Sequence, residues 1–487
     1  RSFREVMRSV VEDGDIRIVP KRFEKVYFHW IDNLHDWNIS RQIWWGHRVP
    51  VWYKGDEIYC GVQSPAGKGW EQDPDTLDTW FSSALWTWST LINPDLADDY
   101  SLNLEDLLAR SPDFQAYHPT SVLETGWDIL FFWVARMILT TTYATGQIPF
   151  KVVYLHGLVR TEEGKKMSKS DPDTIIDPLE VIPEYGTDAL RLALVSGVSA
   201  GNDQRLGKSK IVDNRNFCNK LWNIARYVET VAGSQRPKAE PKSLADHWIL
   251  NKLSILTGVL EKDLANFRFG EAYQSLYHFV WDDLADWYVE ASKSEPNPAL
   301  LKYVLEATLM VAHPFAPFIT ETIWQQLGHT DLLAAQLLPK IATADKARAQ
   351  EFEGLKAGVE EIRRVISDVG ANKPKLLYRD SSLIADNAQL IQRLARLGGV
   401  SESEGHPNGL RLLSVPGAWL DVNPAAAKNN LKAKLAEAEK AVKFLEGRLA
   451  NEAYVEKAPE ELVADTKAQL AENKQKADQI QKVLKSL

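Results

Sequence analysis

The chain has 487 residues, 45% apolar and 25% charged, without a low-complexity tract. That length exceeds one ordinary core and predicts three or four domains, and the composition excludes a fibrous, collagenous or disordered protein. The net charge of −9 argues against indiscriminate nucleic-acid binding but leaves room for local basic surfaces.

Cys60 and Cys218 are the two cysteines. They cannot form a CxxC metal knuckle or a disulfide framework, so a reducing, cytoplasmic setting and no protein-bound metal are expected. The most apolar run, ILFFWVARMIL at 129–139, is interrupted by Arg136 and too short to span a bilayer; it reads as a buried helix, and no membrane partner is expected. The chain starts at Arg1 within an amphipathic pattern, without an initiator methionine or a signal-peptide pattern, and is expected to be cut from something longer.

In chain order, residues 1–60 combine a helix, an extended piece (IRIVP) and an aromatic run whose tryptophans 30, 37, 44, 45 and 52 predict a packing hub. DPDTLDTWFSSALWTWST (73–90) reads as a turn leading into a helix. KVVYLHG (151–157) has the β-branched and aromatic content of a buried strand, closed by Gly157. Two short helices follow in DPLEVIPEYGTDALRLALVSG. Strands alternating with helices predict an α/β domain over 1–206.

From 207 to 345 the apolar residues fall at three- and four-residue steps, as in Ile211, Phe217, Leu221, Ile224 and Val228, and predict a helical bundle. Prolines 314 and 317 predict a helix that stops and restarts. Asp282, Asp283 and Asp286 read as a wet face. Lys208, Lys210, Arg215, Lys220 and Arg226 oppose a single acid, Asp213. As a bare pattern this is more often a solvated helix face than a nucleic-acid contact.

Residues 346–425 return to a small α+β module. Over 426–487, Leu431, Leu435, Ala438, Val442, Leu445 and Leu449 alternate steps of four and three. Thr466, Leu470, Asn473, Ala477, Ile480 and Leu484 do the same beyond Pro459. Two such stripes joined at a proline turn predict an antiparallel coiled-coil hairpin, each arm roughly 35–40 Å long. This tail carries 12 Lys/Arg against 10 Asp/Glu, a slight excess of positive charge in an acidic chain.

The chemistry is sought in EEGKKMSKSDP (162–172), although most Lys/Ser runs of this kind are solvated surface loops. It follows the buried strand closely, and Gly164 permits a flexible approach. Lys166 and Lys169, with hydroxyls between and beside them, can grip a polyphosphate as its charge moves onto the leaving group. Such a loop closes over its ligand only during reaction.

Lys166-Met167-Ser168-Lys169-Ser170 also matches the second signature of the class I aminoacyl-tRNA synthetases. DWNISRQIWWGHRVPVWY, DTWFSSALW, TGWDILFFWVARM, NFCNKLWNIARYV and the tail's FLEGRLANEAYVEKAPEELV extend the match. Together they make the chain resemble the valyl-tRNA synthetases from its first residues to its last. The resemblance implies ATP-dependent attachment of valine to tRNA(Val) through a valyl-adenylate, with Mg2+ as the counter-ion of ATP. It implies that Lys166, Met167, Ser168, Lys169 and Ser170 bind the ATP phosphates, the two lysines being catalytic. Gly126 and Asp128 would lie against the adenylate ribose; read without the family, Asp128 is more simply a cap for the following helix. His156 and Gly157 would border the adenine, the glycine leaving room for the ring, although a histidine at a strand end is usually a satisfied structural residue. Trp80 and Ile129 would shape the amino-acid pocket, though each by itself is more often core. Lys208, Lys210, Arg215, Lys220 and Arg226 would meet the anticodon stem and the hairpin the outer corner of the tRNA.

The departures are specific. None of the ten histidines lies three residues from another, so the family's first signature, HIGH, is absent. The expectation is the second half of a Rossmann-type domain, lacking the HIGH half and the editing insertion and inactive by itself, in a monomer or completed by a separate amino-terminal half. Asn38 stands where the family reads cysteine, and the stretch after Ser170 has one extra residue. Two other readings remain: a free-standing tRNA-binding module with a disused catalytic remnant, and an isoleucyl-type fragment, which the tail disfavours.

Overall fold

The structure is a computed structural model. It describes residues 2–486 except 168–175, 338–339, 406, 408, 452–453, 456–457 and 459, and omits the side chains of 424, 426, 460, 461, 485 and 486. The chain forms two units. One comprises Arg1–Gly186, Leu190–Val212 and Lys262–Tyr273; the other comprises Thr187–Ala189, Asp213–Glu261 and Gln274–Leu487.

In the first unit, α1 (Phe3–Glu12) starts at a capping box, the Glu5 N–H donating to Ser2 Oγ and the Ser2 N–H to Glu5 Oε2. Its Met7, Val10 and Val11 are buried. Strand β1 is Arg17–Val19 and α2 is Phe23–Asp32, whose buried Tyr27 donates its hydroxyl to the Met7 carbonyl at 2.8 Å. An antiparallel ribbon follows, β2 (Val51–Lys54), β3 (Glu57–Cys60) and β4 (Glu71–Gln72), turned at Gly55 with φ +58°.

The central sheet contains β1, β5 (Thr120–Gly126) and β6 (Phe150–His156) in the order β1-β6-β5, all parallel. Parallel neighbours need a crossover. Here it runs through Trp127–Ile129, Leu130–Ala135 and α3 (Arg136–Thr145), the buried helix expected from the apolar run. Phe150, Val153 and Leu155 of β6 are fully buried, packed with Ile18, Val134, Met137 and Ile138. A central parallel strand is covered on both faces, so its sequence is nearly continuously apolar. Leu155→Ala is expected to destabilise this unit by about 2–5 kcal/mol through lost burial and a residual cavity, measured by chemical denaturation; a loss below about 1 kcal/mol would mean that β6 is not the centre of the core. Two short parallel strands, β7 (Val159–Arg160) and β8 (Gln204–Arg205), complete this part.

The tryptophan hub forms only in part. Trp37 and Trp52 are half-buried, whereas Trp44 and Trp45 are 103% and 91% exposed. Their loop is tied through polar side chains, Arg48 donating from its guanidinium to the Asp73 and Gln72 carbonyls and His47 Nδ1 lying 2.9 Å from Ser82 Oγ. Neither tie draws the two indoles into the core.

In the second unit the helical content is as the periodicity predicts. Long helices include α4 (Lys208–Ala232), whose first five residues belong to the first unit, and α5 (Leu244–Ala265), whose last four do. Helix α6 (Pro298–Ala312) stops before Pro314, and α7 restarts at Pro317, over Pro317–Gln326. Asp188 accepts the N–H groups of Phe318 and Ile319 in the first turn of α7, where a carboxylate also complements the helix dipole. The acidic stretch at 282–286 is only partly wet. Asp283 is largely buried, 3.8 Å from both Lys252 and Lys356, and its burial pushes its carboxyl up.

Helix α8 (Lys346–Val369) leads into a four-stranded sheet of β9 (Lys375–Tyr378), β10 (Gly399–Glu402), β11 (Leu410–Arg411) and β12 (Ala418–Leu420), ordered β10-β9-β12-β11. Helix α9 (Ala388–Leu394) precedes β10. The tail forms α10 (Pro424–Leu449) and α11 (Glu460–Ser486). They run antiparallel, since Lys474 pairs with Glu446 and Gln481 reaches back to Glu439. Leu431, Ala438, Leu445, Thr466 and Ile480 of the expected stripes are buried, joined by Val463 and Val483. Pro459, the expected turn, lies outside the described residues. Among the described residues no helix is long and apolar enough to cross a membrane.

Candidate active site at the carboxyl edge of the parallel sheet

Strands β5 and β6 end in register, Gly126 opposite His156. In open parallel sheets ligands bind beyond the carboxyl ends of the strands, and three of the residues singled out from sequence meet there. A Cβ on Gly126 would stand 2.5 Å from Asp128 Oδ1 and 3.5 Å from His156 Cε1. A side chain at this position would push the Asp128 carboxylate aside. His156 Nδ1 lies 2.8 Å from the Gly157 carbonyl oxygen and Nε2 lies 3.4 Å from Glu124 Oε1.

Asp128 occupies the short turn Trp127–Ile129, and its side chain caps none of the helical segments that follow. It is exposed beside the strand ends. The simple capping account of this residue therefore fails. Gly157 answers to the chain's own packing as well: a Cβ there would stand 1.8 Å from the Asn202 carbonyl oxygen, so its missing side chain makes way for that backbone.

That close approach brings in a residue the sequence does not mark. Asp203 accepts hydrogen bonds from the Leu158 N–H at 2.8 Å, Trp127 Nε1 at 3.1 Å and Arg160 Nε at 2.6 Å. One carboxylate thus joins the turn after β5 to the segment leaving β6. Partial burial alone would raise Asp203, but these donors outweigh it and hold its carboxyl below the usual range. An Asp after Gly-Asn is an ordinary turn signal, so only the fold distinguishes it.

The lysine-rich segment starts from this hub. Gly164, at φ +86°, closes a turn in which its N–H donates to the Thr161 carbonyl and the Thr161 N–H to the Lys165 carbonyl, both at 2.9 Å. The turn folds Lys166 back to bridge Arg160 in antiparallel fashion. Lys166 is exposed and Met167 half-buried. Ser168, Lys169 and Ser170 lie outside the described residues.

A second polar cluster was also not foreseen. Asp78, nearly buried, accepts from Trp37 Nε1 at 2.9 Å and Arg41 Nη2 at 2.7 Å, and Arg136 Nη1 stands 3.6 Å away. The Arg136 guanidinium lies 3.8 Å over the Trp37 ring, and burial lowers its basicity despite Asp78. Trp80 stacks on Phe132 with centroids 5.9 Å apart, and Ile129 is half-buried at the end of its turn.

The predicted basic helix is not uniformly basic on its surface. Lys208 and Arg226 are exposed, while Lys210, Arg215 and Lys220 are half-buried. Lys220 pairs with Asp286 at 2.9 Å and lies 4.7 Å over Trp281. Burial lowers the Lys210 ammonium. Among the described residues no group of His, Cys, Asp and Glu is arranged to hold a metal ion.

Comparison with known proteins agrees along the chain. The family "tRNA synthetases class I (I, L, M and V)" matches residues 2–68 and 62–207. The "Anticodon-binding domain of tRNA ligase" matches 246–380, and the "Valyl tRNA synthetase tRNA binding arm" matches 423–487. A valine–tRNA ligase of Geobacillus stearothermophilus is 38% identical over 509 residues, covering 96% of this chain and 55% of the relative. One of Streptomyces coelicolor is 38% identical over 488 residues, covering 95% and 54%. Among solved structures, a LeuRS of Agrobacterium radiobacter in a ternary complex with tRNA and LeuAMS superposes with a TM-score of 0.54 at 18% identity, over 73% of this chain and 46% of that one. The methionyl-tRNA synthetase of Mycobacterium tuberculosis, in complex with methionyl-adenylate, gives 0.53 at 20%, over 70% and 65%. These two share the fold. The chain spans about half the length of the curated relatives it matches, and on the identity along almost its whole length it belongs to the valyl-tRNA synthetase family.

Proposed function

We propose that this chain supplies the phosphate-handling part of an active site that joins valine to tRNA(Val), together with the tRNA-binding regions. The valine carboxylate attacks the α-phosphorus of ATP; the new P–O bond forms the adenylate, and the bond to pyrophosphate breaks. A terminal ribose hydroxyl of the tRNA then attacks the activated carbonyl, releasing AMP. Lys166 and Lys169, with Ser168 and Ser170 beside them, neutralise the departing pyrophosphate, to which Mg2+ is the counter-ion. Gly126 and Asp128 face the ribose, and His156 and Gly157 border the base. Trp80 and Ile129 shape the amino-acid pocket.

The observation that carries this reading is the register of β5 and β6, which gathers Gly126, Asp128 and His156 at one edge, with the turn to Lys166 starting a few residues on. The division into a catalytic part (1–206), an anticodon-binding bundle (207–345), a connecting module (346–425) and a tRNA-binding arm (426–487) belongs to the same proposal. So do the second half of a Rossmann-type fold for the first part, a coiled-coil hairpin for the last, and a cytoplasmic monomer.

Filter binding of transcripts tests the RNA half of the reading. Deleting 426–487 is expected to weaken binding of a tRNA(Val) transcript at least tenfold in matched salt and to leave the melting of the remainder in place. Unaltered affinity would make the arm merely structural, and equal affinity for an unrelated tRNA would remove the assignment of partner.

A further inference from the structure

A cavity of about 760 Å3 in the second unit carries a charge imbalance that the proposed reaction does not use. Its lining includes Lys220, Arg363, Lys373, Arg393 and Arg396, against only Asp286 and Glu290. Two of these cations already have carboxylate neighbours: Lys220 pairs with Asp286 at 2.9 Å, and Arg393 Nη2 lies 4.0 Å from Glu290. Among the described residues Arg363 forms no ion pair, although Glu360, Asp286 and Glu290 lie near enough to favour its charge; its Nε donates to the Leu394 carbonyl at 2.8 Å and its guanidinium lies 4.9 Å over Trp287. Among the described residues, Lys373 and Arg396 pair with no carboxylate.

The backbone at these two positions is unusual. Arg396 has φ +56° and Lys373 has φ +44°, a region that side chains other than glycine and asparagine rarely adopt. Arg396 follows α9 in a helix-ending turn, the Leu397 N–H donating to the Gln392 carbonyl. Glycine is the usual residue at that point. The two loops are locked together, the Gly398 N–H donating to the Pro374 carbonyl, and a Cβ on Gly398 would stand 2.5 Å from the Lys373 carbonyl oxygen. Burial, and then the neighbouring charge of Arg396, lower the Arg363 guanidinium below its ordinary value despite the opposing influence of Glu360, Asp286 and Glu290. Helix-dipole attraction accounts for a cation in the last turn of α9, where Arg393 sits. It leaves unexplained why two further cations are held, at a conformational cost, beside a like charge. Strained positions of this kind gather at ligand sites.

We propose that this cavity is a phosphate-anion site in which Arg363, Lys373 and Arg396 close around one or more phosphoryl groups. Guanidinium forks match phosphate oxygens and remain charged in a half-desolvated wall. The phosphoryl group comes either from a free polyphosphate or from the backbone of a bound RNA; only the RNA source rests on the tRNA reading above.

The test titrates tripolyphosphate calorimetrically into the full chain in a Lys166→Ala/Lys169→Ala background, which removes the lysine loop as a competing site. Adding Lys373→Asn and Arg396→Asn removes both charges and keeps residues that tolerate the left-handed backbone. Tripolyphosphate affinity is expected to fall at least tenfold. Arg393→Gln, within a helical backbone, is the second variant and should weaken binding about threefold. In parallel, a tRNA(Val) transcript is bound at several salt concentrations. If its affinity also falls, and the slope of log affinity against log salt loses about one to two units, the phosphate is that of RNA. If tripolyphosphate weakens and the transcript does not, the anion is free. Unchanged tripolyphosphate affinity in both variants, with melting preserved, overturns the site, whatever the outcome of any valine-dependent assay.

Discussion

Lys166→Ala and Lys169→Ala, each made singly in an enzyme completed by the amino-terminal half that the resemblance implies, are expected to lower valine-dependent ATP–pyrophosphate exchange about 10²- to 10³-fold. That is the size of effect seen when one preorganised donor to a developing anion is removed. The physical case rests on when the charge appears. In ATP the bridging oxygen shares its charge poorly, and as the α-phosphorus transfers, negative charge collects on the departing pyrophosphate. An ammonium that meets the phosphates best at that moment lowers the barrier more than it tightens ATP binding, so the loss should appear in kcat and less in KM. Lys166 is exposed and bridged to Arg160 by backbone, so its approach is fixed while, among the described residues, its ammonium forms no ion pair. Binding of a tRNA(Val) transcript should change little. Exchange within threefold of the parent for both variants would eliminate the catalytic role, and a parallel loss of transcript binding would point to a damaged fold.

Asp203→Ala is expected to have the second-largest effect, although no catalytic step involves its carboxylate. It would strand three donors: the Leu158 N–H, Trp127 Nε1 and Arg160 Nε. Hydrogen bonds to a charged group contribute about 1.5–3 kcal/mol each at most, and solvent can satisfy some of the stranded donors, so a net loss of about 2–4 kcal/mol follows. The pH dependence makes the assignment specific. The folded-state pKa of Asp203 is lowered. Its contribution is therefore fully present above the unfolded-state value of about 3.9 and is lost as pH falls through the lower folded-state value. Denaturant titrations from pH 6 down to pH 2 should show a shallower acid decline in Asp203→Ala than in the parent. Equal declines would mean that the carboxylate is not held by these donors. Arg160 also leads into the turn before Lys166, so in the completed enzyme the same variant should reduce exchange.

Periodicity made the helices readable because a helix exposes one face and covers the other, a rule written residue by residue. The buried positions of α10 and α11 follow the heptad steps from Leu431 to Ile480. Two helices shield only one seam, however, so Leu435, Val442 and Leu470 on the same stripes stay half-exposed. Strand β6 was readable from KVVYLHG because a covered central strand needs continuous apolar content. Strand β5, TSVLETG, escaped notice: its exposed Ser121, Val122 and Glu124 interrupt that pattern. The tryptophan run misled for a related reason. Aromatic content reports an affinity for burial, and whether Trp44 and Trp45 find a surface to bury against depends on what the fold brings beside them.

Residue types along the chain were sufficient to mark the lysine-rich run as the candidate phosphate loop and to identify the helical character of the second unit and the family, because each of these is a local or strictly periodic pattern. Tertiary structure alone decided that Gly157 yields to the Asn202 carbonyl, that Asp203 joins the turn after β5 to the strand before Lys166, and that Lys373 and Arg396 share a cavity with Arg363. Each of these joins groups ten or more residues apart. Which donor reaches which acceptor, and which like charges are forced together, depends on strand register and helix ends that exist only once the backbone has closed.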